Sequence, residues 1–192
     1  MLPHHTQTDW LPAAMADDLL EYAIANEGRF RSGSILYNGE VVVDEAIRQV
    51  SVLDHLGPFQ DRVAAAALAA KPMLETLFGL PPFKASQVEI EMAAHGDGAH
   101  FQQHIDTFVV VHNRPNPRVL TLVLYLHRRP RVFTGGALRF HALGGTASRD
   151  IAPDHNRLAA FPSIAPHSVQ LLTCPSNAFA DRRFAVNMWI HR

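Results

Sequence analysis

The chain has 192 residues, with Lys+Arg 17 against Asp+Glu 18 and a formal net charge of −1. That balance excludes the broad basic surface that nucleic acid or anionic lipid would need, and no apolar run approaches the ~20 residues of a membrane span. Cys174 is the single cysteine, so no internal disulfide can form. With an opening, Met1-Leu2-Pro3-His4-His5, that lacks the succession of a signal peptide, this predicts a cytoplasmic protein.

The length fits one domain, large enough to bury roughly 70% of its unfolded surface. Residues 1–84 are expected to be mostly helical support and 85–192 a β core. Pro12 to Asn26 reads as a helix with Met15, Leu19, Tyr22 and Ala23 on one face and Gly28 as its stop. Between Ser34 and Leu56 the pattern is ambiguous: Val41-Val42-Val43 suits a short strand and Arg48 to Leu53 a lining segment. A second helix is expected from Pro58, with Phe59, Val63, Ala67, Ala70, Leu74 and Leu77 as its stripe. Pro72 lies inside that pattern and predicts a kink or a split.

The period then changes to two. Gln87 to Met92 alternates polar and apolar, as in a half-buried strand, whereas Val119 to Leu126 is nearly continuously apolar, as in a strand buried on both faces. Short strands are expected at Ala137–His141, Leu158–Phe161, Ser168–Leu172 and Phe184–Ile190, parted by turn signals such as Gly135-Gly136. Helices first, then many short antiparallel strands, predict a β-sandwich or barrel.

Chemistry concentrates at His104-Ile105-Asp106. In an extended strand, positions two apart point the same way, so both side chains can face one ion. Two imidazoles and a carboxylate suit a ferrous ion with coordination positions left open. The spacing alone is weak: His95-Gly96-Asp97 repeats it, although its glycines read as a turn. His167, at the entrance to a strand, is as readily a surface histidine beside a proline turn as a third ligand. His112, His127, His141 and His155 compete with it on composition, those near Pro- or Gly-rich loops reading as solvated. Arg183 is sharper. It shares a strand face with Ala185, Asn187 and Trp189, while Phe184, Val186, Met188 and Ile190 share the other. An arginine on the inner face of so apolar a strand is costly unless an anion meets it; the alternative is a structural ion pair or an edge-strand arginine. The Tyr125 hydroxyl, in an apolar strand, needs a partner, and a carboxylate shared with Arg183 would satisfy it.

In order, Gly98-Ala99-His100-Phe101-Gln102-Gln103-His104-Ile105-Asp106, Leu120 to Leu126 with Tyr125, Gly135-Gly136-Ala137-Leu138-Arg139-Phe140, and Phe161-Pro162 through His167-Ser168-Val169 to Arg183 and Trp189 resemble the iron(II)/2-oxoglutarate-dependent dioxygenases. The resemblance is to the prolyl 4-hydroxylase-like branch and covers over half the chain. It implies a mainly β fold with N-terminal helices and a double-stranded β-helix (jelly-roll, cupin-like) core. It implies His104, Asp106 and His167 as ligands of Fe(II). Arg183, Tyr125, His95 and Asn187 would bind 2-oxoglutarate, and ascorbate would serve as accessory reductant. The implied reaction is hydroxylation of an unactivated C–H of a protein or peptide residue by dioxygen, with release of succinate and CO2. A carboxylate at Asp106, where related halogenases have a small residue, implies hydroxylation or desaturation rather than halogenation. Two departures stand out: His167 and Arg183 are sixteen residues apart, longer than the common spacing, and His95 stands where many relatives have tyrosine.

Three alternatives stay open at this point. The substrate can be a free amino acid or natural-product intermediate. The protein can be an iron oxidoreductase without 2-oxoglutarate, or a non-enzymatic β-barrel module using the same residues for zinc. Monomer and homodimer are both open.

Overall fold

The computed structural model describes residues 1–37, 40–107 and 117–192. Among these, two antiparallel sheets face each other and two helices cover the outer face of the larger one. Its seven strands run in the order His5–Gln7, Arg157–Pro162, Arg118–Leu126, Arg183–His191, Gln87–His95, Ser51–Leu53 and Arg31–Ser32. The smaller sheet runs Ser148–Ile151, Leu138–His141, His167–Val169, His100–His104 and Arg48–Gln49. This is the sandwich that the strand pattern predicts, in the double-stranded β-helix form that the resemblance implies, with helices on one side.

Strand periodicity decides what each face meets. Leu120, Leu122, Leu124 and Leu126 point toward the helices, as do Phe184, Val186, Met188 and Ile190, and they pack with Leu19, Leu20, Val63 and Leu74 in the main core. The alternate residues Val123, Tyr125 and Ala185 turn into the sandwich, where they meet Leu138, Phe140 and Phe161. A strand that reads as apolar throughout thus serves two different interiors.

The first helix spans Ala13–Ala25 and buries Met15, Leu19 and Ala23 as expected. Asn26 caps it, and Gly28 falls in a following 3-10 turn, Glu27–Arg29. The second helix differs from expectation at three points. Pro58 lies in a 3-10 turn, Gly57–Phe59, and the α-helix proper is Gln60–Phe78. It runs through Pro72 without splitting. The buried stripe ends on Phe78, while Leu77 is half exposed, so the inward position falls one residue later than the pattern predicts. Gly79 closes it in the left-handed conformation, φ +65°.

The first 84 residues also supply six short strands: three extend the larger sheet, Arg48–Gln49 edges the smaller one, and Ile35–Tyr37 pairs with Glu40–Val42. The single strand expected over 168–172 is two, His167–Val169 and Leu172–Thr173, the second pairing with Thr134–Gly135.

Candidate active site

Register brings the two candidate imidazoles together. His104 ends the strand His100–His104, His167 begins His167–Val169, and the two are partners across the ladder, with ring centroids 4.2 Å apart. Asp106 reaches the same point by a different route from the one strand phase suggests. The strand stops at His104, and Asp106 lies in the bend beyond it, its backbone N–H donating to the Ser163 carbonyl at 2.9 Å. Its carboxylate lies 3.7 Å from His104 Nε2 and 3.6 Å from His167 Nε2. One donor atom from each residue falls within 4.8 Å of the others.

Both imidazoles are oriented from behind. His104 Nδ1 donates to the Gln102 carbonyl at 2.7 Å and His167 Nδ1 to the Ala165 carbonyl at 2.8 Å, leaving each Nε2 facing Asp106. Phe101 stacks on His104 at 3.6 Å, and Phe161 meets His167 edge-on at 4.7 Å. Burial and the neighbouring His167 push the His104 pKa down to about 3, so the ring is neutral, the form that ligates metals. Burial opposes ionisation of Asp106, but His167, His104 and the Thr121 hydroxyl outweigh it, and the carboxyl titrates below its ordinary value. Two imidazoles and a carboxylate, aimed at one point, fit a divalent iron.

The triangle opens into a cavity of about 550 Å³ between the sheets, and Arg183, Tyr125, His95 and Asn187 line the same cavity. Arg183 is 1% exposed. Its Nη1 donates to the Gly136 carbonyl at 2.8 Å, while its Nε and the Tyr125 hydroxyl are buried without a hydrogen-bond partner. Burial lowers the Arg183 pKa to about 10 and raises that of Tyr125 to about 12, so the guanidinium remains charged and the phenol remains a donor. A buried cation and buried donors with no acceptor fit the far carboxylate of a dicarboxylic acid. Arg182, one residue out of phase, lies against the Phe179 ring instead.

Gly136 reaches Arg183 because it has no side chain: a Cβ there would lie 2.8 Å from Leu172 Cδ1 and 3.3 Å from Arg183 Cδ. His95 ends the strand Gln87–His95 rather than lying in a loop, pairs in register with Arg183, and its buried Nδ1 has no partner. Asp97 of the same triplet serves the turn, accepting from the Cys174 N–H at 2.7 Å. Burial and Arg183 hold the His95 pKa well below its ordinary value.

The sequence profile of the 2OG-Fe(II) oxygenase superfamily matches residues 90–191, over half of the chain. The chain belongs to that superfamily. An uncharacterized PKHD-type hydroxylase from Synechocystis is 31% identical over 129 residues, which is 63% of this chain and 42% of that relative's length. Among solved structures, a Pseudomonas putida prolyl-4-hydroxylase superposes with TM-score 0.71 at 22% identity, covering 98% of this chain and 92% of the other. A Trichoplax adhaerens prolyl hydroxylase, in complex with a hypoxia inducible factor peptide fragment, gives 0.74 at 18% identity, covering 97% and 82%. At these identities the structures establish a shared prolyl hydroxylase-like fold.

Within this oxygenase fold, sequence reasoning passed over the charged wall of the cavity. Glu91 receives Arg48 and the Asn187 amide, the latter at 3.2 Å. Glu89 receives Arg118 at 2.6 and 3.0 Å, and Arg118 lies 4.0 Å from the Trp189 ring. The strand Gln87–His95 carried the signal, because three of its alternate positions, Glu89, Glu91 and His95, are polar and line the cavity. Of the competing histidines, His127 is buried rather than solvated, His141 bonds Ser168 at 2.8 Å, and His155 pairs with Asp17 at 3.2 Å. His112 lies outside the described residues, as does most of the stretch 107–118. The 28–56 segment lines the cavity through Ser34, Ile35, Val41, Ile47 and Arg48.

Proposed function

We propose that the protein is an Fe(II)- and 2-oxoglutarate-dependent dioxygenase that hydroxylates a C–H bond of a protein or peptide residue, in the manner of a prolyl hydroxylase. The observation that carries this is the opening of the His104, Asp106 and His167 triangle into the same cavity as the unpartnered donors of Arg183 and Tyr125. When bound, iron and 2-oxoglutarate supply the oxidising chemistry, with dioxygen consumed and succinate and CO2 released. His104, Asp106 and His167 would hold the metal through three donors, which leaves the remaining positions for co-substrate and dioxygen. Arg183 and Tyr125 would bind the distal carboxylate, His95 would stand beside it and Asn187 further along the same wall. The two sheets flank the cavity and would limit the access of water to it. Ascorbate is the accessory reductant and the cytoplasm the setting that accompany this reading.

The charged wall supports a second substrate class. Glu89 and Glu91 alternate with Arg118 and Arg48, a pattern that suits a free amino acid, whose ammonium and carboxylate each find an opposite charge. A structural metal module has no use for a buried guanidinium beside its site, which weighs against that alternative.

Anaerobic addition of Fe(II) and 2-oxoglutarate is expected to give a visible charge-transfer band, and aerobic turnover to give one succinate per dioxygen consumed. A mass-spectrometric screen for a gain of one oxygen on peptides and on free amino acids decides the substrate class. Retention of zinc with no such band, or dioxygen uptake without succinate, rejects the proposal. A chlorinated product in a chloride buffer would remove Asp106 from the ligand set.

A further inference from the structure

We infer that Thr121 and Ser163 form a two-hydroxyl relay that positions Asp106 so that it offers a single oxygen to the metal. This rests on the metal reading proposed above. Asp106 is outside any strand, so no ladder fixes its side chain as register fixes His104 and His167. Its placement comes from elsewhere. The Ser163 carbonyl accepts from the backbone N–H of Asp106 at 2.9 Å and of Thr107 at 3.2 Å, which pins the bend. The Thr121 hydroxyl donates to Asp106 Oδ2 at 2.8 Å and lies 2.9 Å from the Ser163 hydroxyl.

The direction of the relay follows from proton count. An ionised carboxylate only accepts, so the single Thr121 proton points to Asp106. The Ser163 hydroxyl must then donate to Thr121. Thr121 and Ser163 are each 1% exposed, so bulk water has little access to the pair. Oδ2, on the His167 side, is thereby engaged, and Oδ1 faces His104 at 3.7 Å. Three protein donors would hold the metal and leave positions open for the co-substrate and dioxygen. A carboxylate that swung to bind through both oxygens would occupy one of them. Thr121 is therefore a positioning residue that keeps a coordination position open. It shares its strand face with Tyr125, so one strand would orient the metal ligand and the co-substrate clamp together.

The test uses Mn(II), a redox-silent stand-in followed by its magnetic resonance signal, on the full chain with and without 2-oxoglutarate. Thr121→Val keeps the shape and removes the donor; Thr121→Ser keeps the donor. Thr121→Val is expected to weaken Mn(II) binding on the order of 10- to 100-fold, and to weaken 2-oxoglutarate binding to the Mn(II) complex. Thr121→Ser should restore both, which a purely structural role for the threonine would not require. Ser163→Ala should give a smaller loss of the same kind. If Thr121→Val shows no cooperative thermal transition, Ser163→Ala against wild type decides by the same criterion. Wild-type affinities in the informative variant overturn the relay and leave the metal site standing. Mn(II) binding that survives His167→Ala unchanged overturns the metal site itself.

Discussion

Arg183 concentrates the energetics of the cavity in one side chain. Its guanidinium is enclosed, meets one carbonyl, and has an Nε with no acceptor, an arrangement that penalises the protein alone and favours the complex with an anion. Arg183→Ala should raise the Kd for 2-oxoglutarate by roughly 30- to 1,000-fold, corresponding to about 2–4 kcal/mol for a lost charge-assisted fork. Arg183→Lys should recover little of this, because an ammonium cannot present two parallel donors. Tyr125→Phe removes a neutral donor and should cost about 1 kcal/mol. Titration of the Fe(II) protein by its visible band measures all three, and an unchanged affinity in Arg183→Ala would place the co-substrate elsewhere.

At the scale of elements, the Gly135-Gly136 turn does what no other pair can. Both residues have positive φ, +72° and +66°, and the turn sets Thr134–Gly135 against Leu172–Thr173 while presenting a carbonyl to Arg183. A Cβ on Gly135 would lie 2.2 Å from the Leu171 carbonyl oxygen, a backbone atom with no freedom to yield. Gly135→Ala is therefore expected to destabilise by more than the ~1–3 kcal/mol of a strained backbone alone, read as a lowered thermal midpoint. Gly144→Ala, with nothing near its Cβ, is the matched control and should leave the midpoint within a few degrees.

For the whole molecule, burial of neutral imidazoles makes the fold sensitive to acid. His104 is lowered to about 3 by burial and His167, and His95 well below its ordinary value by burial and Arg183. The unfolded chain binds protons at these residues near the ordinary value of 6.5, whereas the folded chain does not. Between the folded and unfolded pKa values stability therefore rises with pH, and it is lost as pH falls below about 6.5, by up to ~1.4 kcal/mol per pH unit for each group. The urea midpoint of the metal-free protein should fall between about pH 7.5 and pH 5.5. An unchanged midpoint would mean that these rings are not buried in the neutral form.

Local patterns in the chain determined a good deal: a helix at Ala13–Ala25, the long strands Gln87–His95 and Arg118–Leu126, and the phase that puts Arg183 rather than Arg182 inside. Each depends on a period of 3.6 or 2, which nearest neighbours fix. Tertiary structure alone decided that His167 stands opposite His104, because pairing between strands sixty residues apart leaves no local mark. It also decided that Asp106 lies in a bend with its carboxylate held by the Thr121 hydroxyl rather than placed by strand phase, and that Pro72 is absorbed into an unbroken helix. The charged wall was half visible, as polar residues alternating along Gln87–His95. Only closure of the second sheet showed that this polar face looks into a cavity and not into water, since alternation records that two faces differ and not what each one meets.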